Sequence, residues 1–207
     1  SFSKKIKILD IGSDHDRDLR IISNEINSYD NELYAISDKA VSGILTSNVD
    51  VENEKLPYND NFFQITICNQ VFEHLKNWMW SFHEQIRVTK KDGWVIVGFP
   101  NLAALHCRFQ LAIGHHPSCI KLDDAHVRGF TKNGFYNVIE KIDGLSIEKF
   151  SGSNMYGFPP NTAKILGKTF PNFAVSIFFL IKKNKPNVNV IELIKSKKLQ
   201  TTYFTGN

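Results

Sequence analysis

The feature that most constrains this chain is the alternation of short apolar runs with segments of helical periodicity. Residues 5–11, 32–36, 62–69 and 94–99 are runs of strand length, rich in Ile, Val, Leu and Phe, the last of them halted by Pro100. Between them, apolar residues recur at helical spacing over 19–26 and again at Trp78, Phe82 and Ile86. A further helix is expected around 39–44. Lys90-Lys91-Asp92-Gly93 reads as the end of the Trp78 helix, with cations in the last turn and a glycine stop. Apolar strands alternating with helices predict a mainly parallel, doubly wound α/β sheet covered on both faces. Ligands of such sheets sit beyond the carboxyl ends of the strands, near the switch point. That rule gathers residues 10–16, Ser37 and Asp38, Asp50, and 69–74 along one rim.

The second half is looser. Residues 102–113 are expected to be helical up to Gly114, and 114–130 a loop. Thr131 is a candidate N-cap for a helix burying Phe135, Val138, Ile139 and Ile142. Strands are expected at 145–150 and 174–181, joined by a Gly-, Pro- and Asn-rich connection over 151–173. The end of the chain reads as a solvated polar tail with one short helix over 190–199.

Composition removes several classes of function. With 42% hydrophobic residues and sixteen Phe in 207 residues, the chain has material for a full core and is not globally disordered. The longest apolar run, from Phe173 to Ile181, is nine residues and contains Ser176, against roughly 20 needed to span a bilayer. No initiator Met precedes the chain, so a few upstream residues are expected to be missing; with no signal peptide at its start and no long apolar run, a soluble, cytoplasmic protein is expected. Lys and Arg (25) exceed Asp and Glu (21), but six of those Lys lie in 182–207 with a single Glu. The body is therefore nearly neutral, which argues against a basic nucleic-acid-binding face. Cys68, Cys107 and Cys119 show no metal or redox spacing and suit a reducing compartment.

Several ordered motifs carry a family resemblance. Leu56-Pro-Tyr leads to Phe62-Phe63, and the strand that follows ends in Cys68-Asn-Gln-Val-Phe-Glu73-His74. Glu84-Gln-Ile-Arg87-Val-Thr-Lys-Lys-Asp-Gly93, Phe99-Pro-Asn-Leu102, Arg108-Phe-Gln-Leu-Ala-Ile-Gly114 and His126-Val-Arg-Gly-Phe-Thr131 come next in order. From Lys5 to about Lys183 the chain resembles class I S-adenosylmethionine-dependent methyltransferases, most of all their type 11 and MetW-like branch. The resemblance implies a Rossmann-like α/β domain over 1–183, with one late antiparallel strand and a lid-like insert at about 100–130. Residues 184–207 are then a basic polar tail. It further implies S-adenosyl-L-methionine as cofactor, S-adenosyl-L-homocysteine as product, and methylation of a small molecule or a cell-envelope or glycan precursor. Cys68-Asn-Gln-Val stands where enzymes methylating base amino groups carry Asn- or Asp-Pro-Pro-Tyr, so nucleic acid is not the expected partner.

Carried over residue by residue, the resemblance assigns cofactor binding to Asp10, Ile11, Gly12, Ser13, Asp14, Ser37, Asp38, Asp50, Val51, Asn69, Gln70 and His74. Proton handling falls to His126, with its motif context, and to His74. The glycine-rich loop departs from the family's Asp-x-Gly-x-Gly-x-Gly and reads Asp10-Ile-Gly12-Ser-Asp14-His-Asp16. Asp14 then stands near the cofactor's own carboxylate, and like charges about 4 Å apart cost roughly 1 kcal/mol in water and about 4 at an effective dielectric of 20. The alternative is a catalytically silent methyltransferase-fold protein acting as a binding partner or regulator. Asp14-His15-Asp16 with Asp18 lacks dedicated ligand spacing, so no metal is expected there.

Overall fold

The computed structural model describes residues 5–12, 16–26, 30–40 and 42–195. Its centre is one seven-stranded sheet in the order β3-β2-β1-β4-β5-β7-β6. The strands are β1 (Ile6–Ile11), β2 (Asn31–Ile36), β3 (Leu45–Ser47), β4 (Phe63–Asn69), β5 (Thr89–Pro100), β6 (Leu145–Ser153) and β7 (Ser176–Lys183). β1 to β5 pair in parallel, whereas β7 runs antiparallel between β5 and β6. This is the mainly parallel sheet with a late antiparallel strand that the sequence predicts. The chain order reverses between β1 and β4, which opens a crevice at their carboxyl ends.

Helices cover both faces. On one, α1 (Arg17–Glu25) lays Leu19 against Ile8, Ala35 and Ile67. On the other, α2 (Trp78–Val88) buries nearly every residue. Its Trp78 and Phe82 join Phe72, Phe99, Phe135 and Phe179 in one aromatic core. The rings of Phe99 and Phe130 stack 4.1 Å apart, and burying each such side chain contributes about 1.5–3 kcal/mol. Phe130 also forms a bridge with Asn101, so the loop preceding α4 (Lys132–Ile139) is pinned to the end of β5. Thr131 caps α4 as expected, accepting a hydrogen bond from Gly134 N at 3.1 Å. α3 (Leu105–Ala112) lies within the span expected to be helical.

Four expectations are corrected. Residues 39–44 form turns rather than a helix among those described: Ser37 Oγ accepts the N–H of Lys39, and Gly43 takes φ +78°. A hydroxyl that captures a backbone N–H in this way competes with helix formation. α2 stops at Val88, and Lys90 to Gly93 belong to β5, where the β4–β5 register shifts between Phe63 and Ile65. The last carbonyls of α2 are instead met by Lys183 Nζ, 2.8 Å from Ile86 O. The 151–173 connection contains α5 (Pro160–Thr169). Its Gly167 packs so closely on the carboxyl end of β6 that a Cβ would lie 2.6 Å from Asn154 N, the residue after the strand, and 3.0 Å from Ser153 C, so a residue read as a loop signal serves helix–strand contact instead. Finally, the segment after Lys183 is not wholly a solvated end. Val188, Val190 and Ile191 enter the main core as α6 (Ile191–Lys195) packs on α2. The remainder of the helix expected over 190–199 lies outside the described residues.

Candidate functional site

The rim is built from the turns that leave β1, β2, β3 and β4. After β1, Gly12 takes φ +77° and donates its N–H to Ile36 O at 3.0 Å. A Cβ here would lie 2.5 Å from Val71 Cγ2, so both the backbone conformation and the space require glycine. Ser13 and Asp14, assigned to the cofactor from the sequence, lie outside the described residues. Ile11 is buried in the core. Asp10 is buried beside Cys68, whose thiol burial pushes well up, with the Asp10 and Glu73 charges adding to the shift.

Gly12, Ile36, Ser37, Asp38, Asn48, Val49 and Val51 line a cleft of about 230 Å³ at the carboxyl ends of β1, β2 and β3. Asp38 is exposed. Ser37 N donates to Ser47 O at 3.1 Å, which fixes the height of the loop. Asp50 is turned to its own loop: its carboxylate accepts from Glu52 N and Asn53 Nδ2, each at 2.9 Å. These bonds, the Asn53 amide first, hold its carboxyl below the usual range. The structure therefore brings Gly12, Ser37, Asp38 and Val51 around one space and leaves Asp50 outside its lining. Sequence reading missed Asn48 and Val49, because β3 has three residues and no periodicity to mark its end.

At the end of β4, Asn69 Nδ2 donates to Asp18 Oδ2 at 2.7 Å, tying β4 to α1. Gln70 takes φ 58° and donates its N–H to Gly98 O at 3.0 Å; its side chain is exposed. The short 3-10 turn Phe72–His74 follows. Glu73 is 1% exposed, and both its carboxylate oxygens are buried without a hydrogen-bond partner. Burial pushes its carboxyl up to about 7, with His126 opposing. The loop before α4 returns to this turn, and Val127 N donates to Glu73 O at 2.9 Å. The rings of His74 and His126 meet edge-on, centroids 4.6 Å apart. The two candidate histidines are thus neighbours, and the buried acid Glu73 beside them is a residue that sequence reading noted in its pair with His74 but did not count among the site residues. The Glu-His pair was the available signal.

This strand order, with a reversed seventh strand and a cleft at the β1/β2 edge, defines the class I methyltransferase fold. Three solved structures share it. A chain of the complex formed by the Haloferax volcanii Trm112 methyltransferase activator is 10% identical, with 87% of this chain and 83% of that one covered and a TM-score of 0.57. A SAM-dependent methyltransferase from Archaeoglobus fulgidus is 12% identical, with 88% of each chain covered and a TM-score of 0.56. The YcgJ protein from Bacillus subtilis is 17% identical, with 86% and 90% covered and a TM-score of 0.54. No curated protein matches the sequence. The family model for methionine biosynthesis protein MetW matches residues 3–130. The chain belongs to the MetW family. Among the described residues, no helix is long and apolar enough to cross a membrane.

Proposed function

We propose that the protein transfers a methyl group from S-adenosyl-L-methionine to a small acceptor molecule. The observation that carries this reading is the cleft lined by Gly12, Ser37, Asp38, Asn48, Val49 and Val51. Its residues suit a nucleoside: Val49 and Val51 offer apolar surface to a flat base, Asp38 offers a carboxylate to ribose hydroxyls, and Gly12 lets the backbone approach. When bound, the cofactor supplies an electrophilic methyl on a sulfonium. The protein's part is to hold the acceptor in line and to accept its proton. His126 suits the second task. Its Nδ1 lies 2.9 Å from Cys119 O, an atom that only accepts, so Nδ1 carries the proton and Nε2 is free to take another. Gly12, which lines the cleft, packs on Val71, two residues before Glu73, and this supports reading the histidine pair as the acceptor end. The 100–130 insert, which supplies His126, is then the cover of that end.

Titration of the full chain with S-adenosyl-L-homocysteine by calorimetry tests this reading. Micromolar binding, weakened by Asp38→Ala, is the expected result. No heat at millimolar ligand would overturn it and favour the silent form. That second reading has its own support: Asp50 and Ser37 spend side-chain oxygens on their own turns, and one structural neighbour is found in complex with a methyltransferase activator.

A further inference from the structure

Glu73, His74 and His126 each offer one ligand atom, and these atoms lie within 4.8 Å of one another. Two independent observations give this cluster a purpose. The first is Glu73 itself, whose carboxylate oxygens are both buried and unpartnered. A buried carboxylate left without compensation is expensive, and a cation held between it and two imidazoles supplies that compensation. The second is the hydrogen bond from His126 Nδ1 to Cys119 O at 2.9 Å. It fixes the tautomer that presents the Nε2 lone pair, as an outer carbonyl does for metal-binding imidazoles. The backbone supports the same arrangement, since the Val127 N–Glu73 O bond and the Phe99–Phe130 stack hold the His126 loop against the Phe72–His74 turn.

We infer that Glu73, His74 and His126 form a binding site for a single divalent transition-metal ion of the zinc type. Two imidazoles and one carboxylate make a borderline nitrogen–oxygen set. Calcium and magnesium prefer shells of six or more oxygens and are disfavoured. Three protein ligands leave zinc a fourth position for water or an anionic oxygen. His74 is exposed, which gives that position access to solvent. With the ion on His126 Nε2, an acceptor oxygen bound at the fourth position would be activated by the ion and its proton would pass to solvent rather than to His126; that step rests on the methyl-transfer reading, whereas the metal site does not. The ligands come from two distant stretches of chain, so no local spacing announces them.

Cobalt(II) titration of the full, chelator-stripped chain in reducing buffer tests the site. One Co2+ should bind per chain, with the visible bands of four-coordinate cobalt, and Zn2+ should displace it. His74→Ala and Glu73→Gln should each weaken binding about tenfold or more, with the circular dichroism spectrum unchanged. His74 is exposed, so its removal tests the site without threatening the core. Three results would overturn the assignment: no visible bands in excess Co2+, a near-ultraviolet sulfur-to-cobalt band reporting cysteine ligands, or wild-type affinity in His74→Ala. None of these readouts involves cofactor binding, so a failure here is distinct from a failure of S-adenosyl-L-homocysteine to bind.

Discussion

Val71 closes on Gly12 so tightly that a Cβ on Gly12 would lie 2.5 Å from Val71 Cγ2. The contact joins Gly12, which lines the cleft, to the segment leading into the turn that carries Glu73 and His74. Gly12→Ala adds both this clash and the strain of a side chain at φ +77°. A loss of about 1–3 kcal/mol in denaturant unfolding is expected, together with weaker S-adenosyl-L-homocysteine binding. Adding Val71→Ala should recover the steric part and leave the backbone part, a non-additivity that a double-mutant cycle measures.

The two acids near the cleft should behave differently. Asp38 lines the cleft and keeps its carboxylate at the exposed rim, whereas Asp50 spends both oxygens on Glu52 N and Asn53 Nδ2. Asp38→Ala should weaken binding of the cofactor product roughly tenfold or more, the worth of a hydrogen bond to a charged group. Asp50→Ala should lower thermal stability through its loop and move affinity less. Calorimetric titration of both variants decides it, and a larger effect at Asp50 would reverse their roles.

The six longer strands and α2 were legible because apolar runs and a four-residue repeat report burial directly, whereas the three residues of β3 are too few to show either. α5 was not, since Gly167 is a helix breaker in isolation and a close-packing residue only once β6 lies beside it. Gly12 showed itself through its motif, and its positive φ agrees with the turn that motif requires. Asp50 shows the opposite limit: a motif can place an acid near a ligand, but which way its oxygens turn depends on neighbouring N–H groups. The Glu73–His74–His126 cluster depends on chain return, driven by the stacking of Phe99 on Phe130, and no local pattern encodes that.

Glu84 and Arg87 test how the Leu56-Pro57 turn is held. Buried Glu84 accepts from Leu56 N at 2.8 Å and from Arg87 Nε and Nη2 at 2.7 Å each. Arg87 also donates to Tyr58 O at 2.8 Å and Leu56 O at 3.0 Å. Removing the guanidinium leaves a buried carboxylate with only one N–H partner. Arg87→Met should therefore destabilise by about 3–5 kcal/mol, and the Glu84→Leu/Arg87→Met pair by clearly less. Urea midpoints of the three variants measure this, and equal losses in the single and double variants would show that the turn, rather than the charge, was at stake.

Lys183 gives the fold a pH dependence of unusual sign. The residue is 1% exposed, and its ammonium reaches Ile86 O at 2.8 Å, Thr89 O at 2.7 Å and Asn61 Oδ1 at 3.1 Å, joining β7 to the end of α2. Burial lowers its pKa from the ordinary lysine value of 10.5 to about 8. Below pH 8 both states are protonated and the folded protein bears the full desolvation cost. Between about 8 and 10.5 the unfolded chain holds a proton that the folded one has shed, so this group's contribution to stability rises with pH. The rise is at most about 3 kcal/mol. Lys183→Met should remove the rise while lowering stability below pH 8, because the helix-end carbonyls lose their donor. Unfolding free energies of the wild type and Lys183→Met, measured from pH 7 to about 10.5, should diverge progressively above pH 8. A difference that stays flat would mean that the three acceptors keep the ammonium charged throughout.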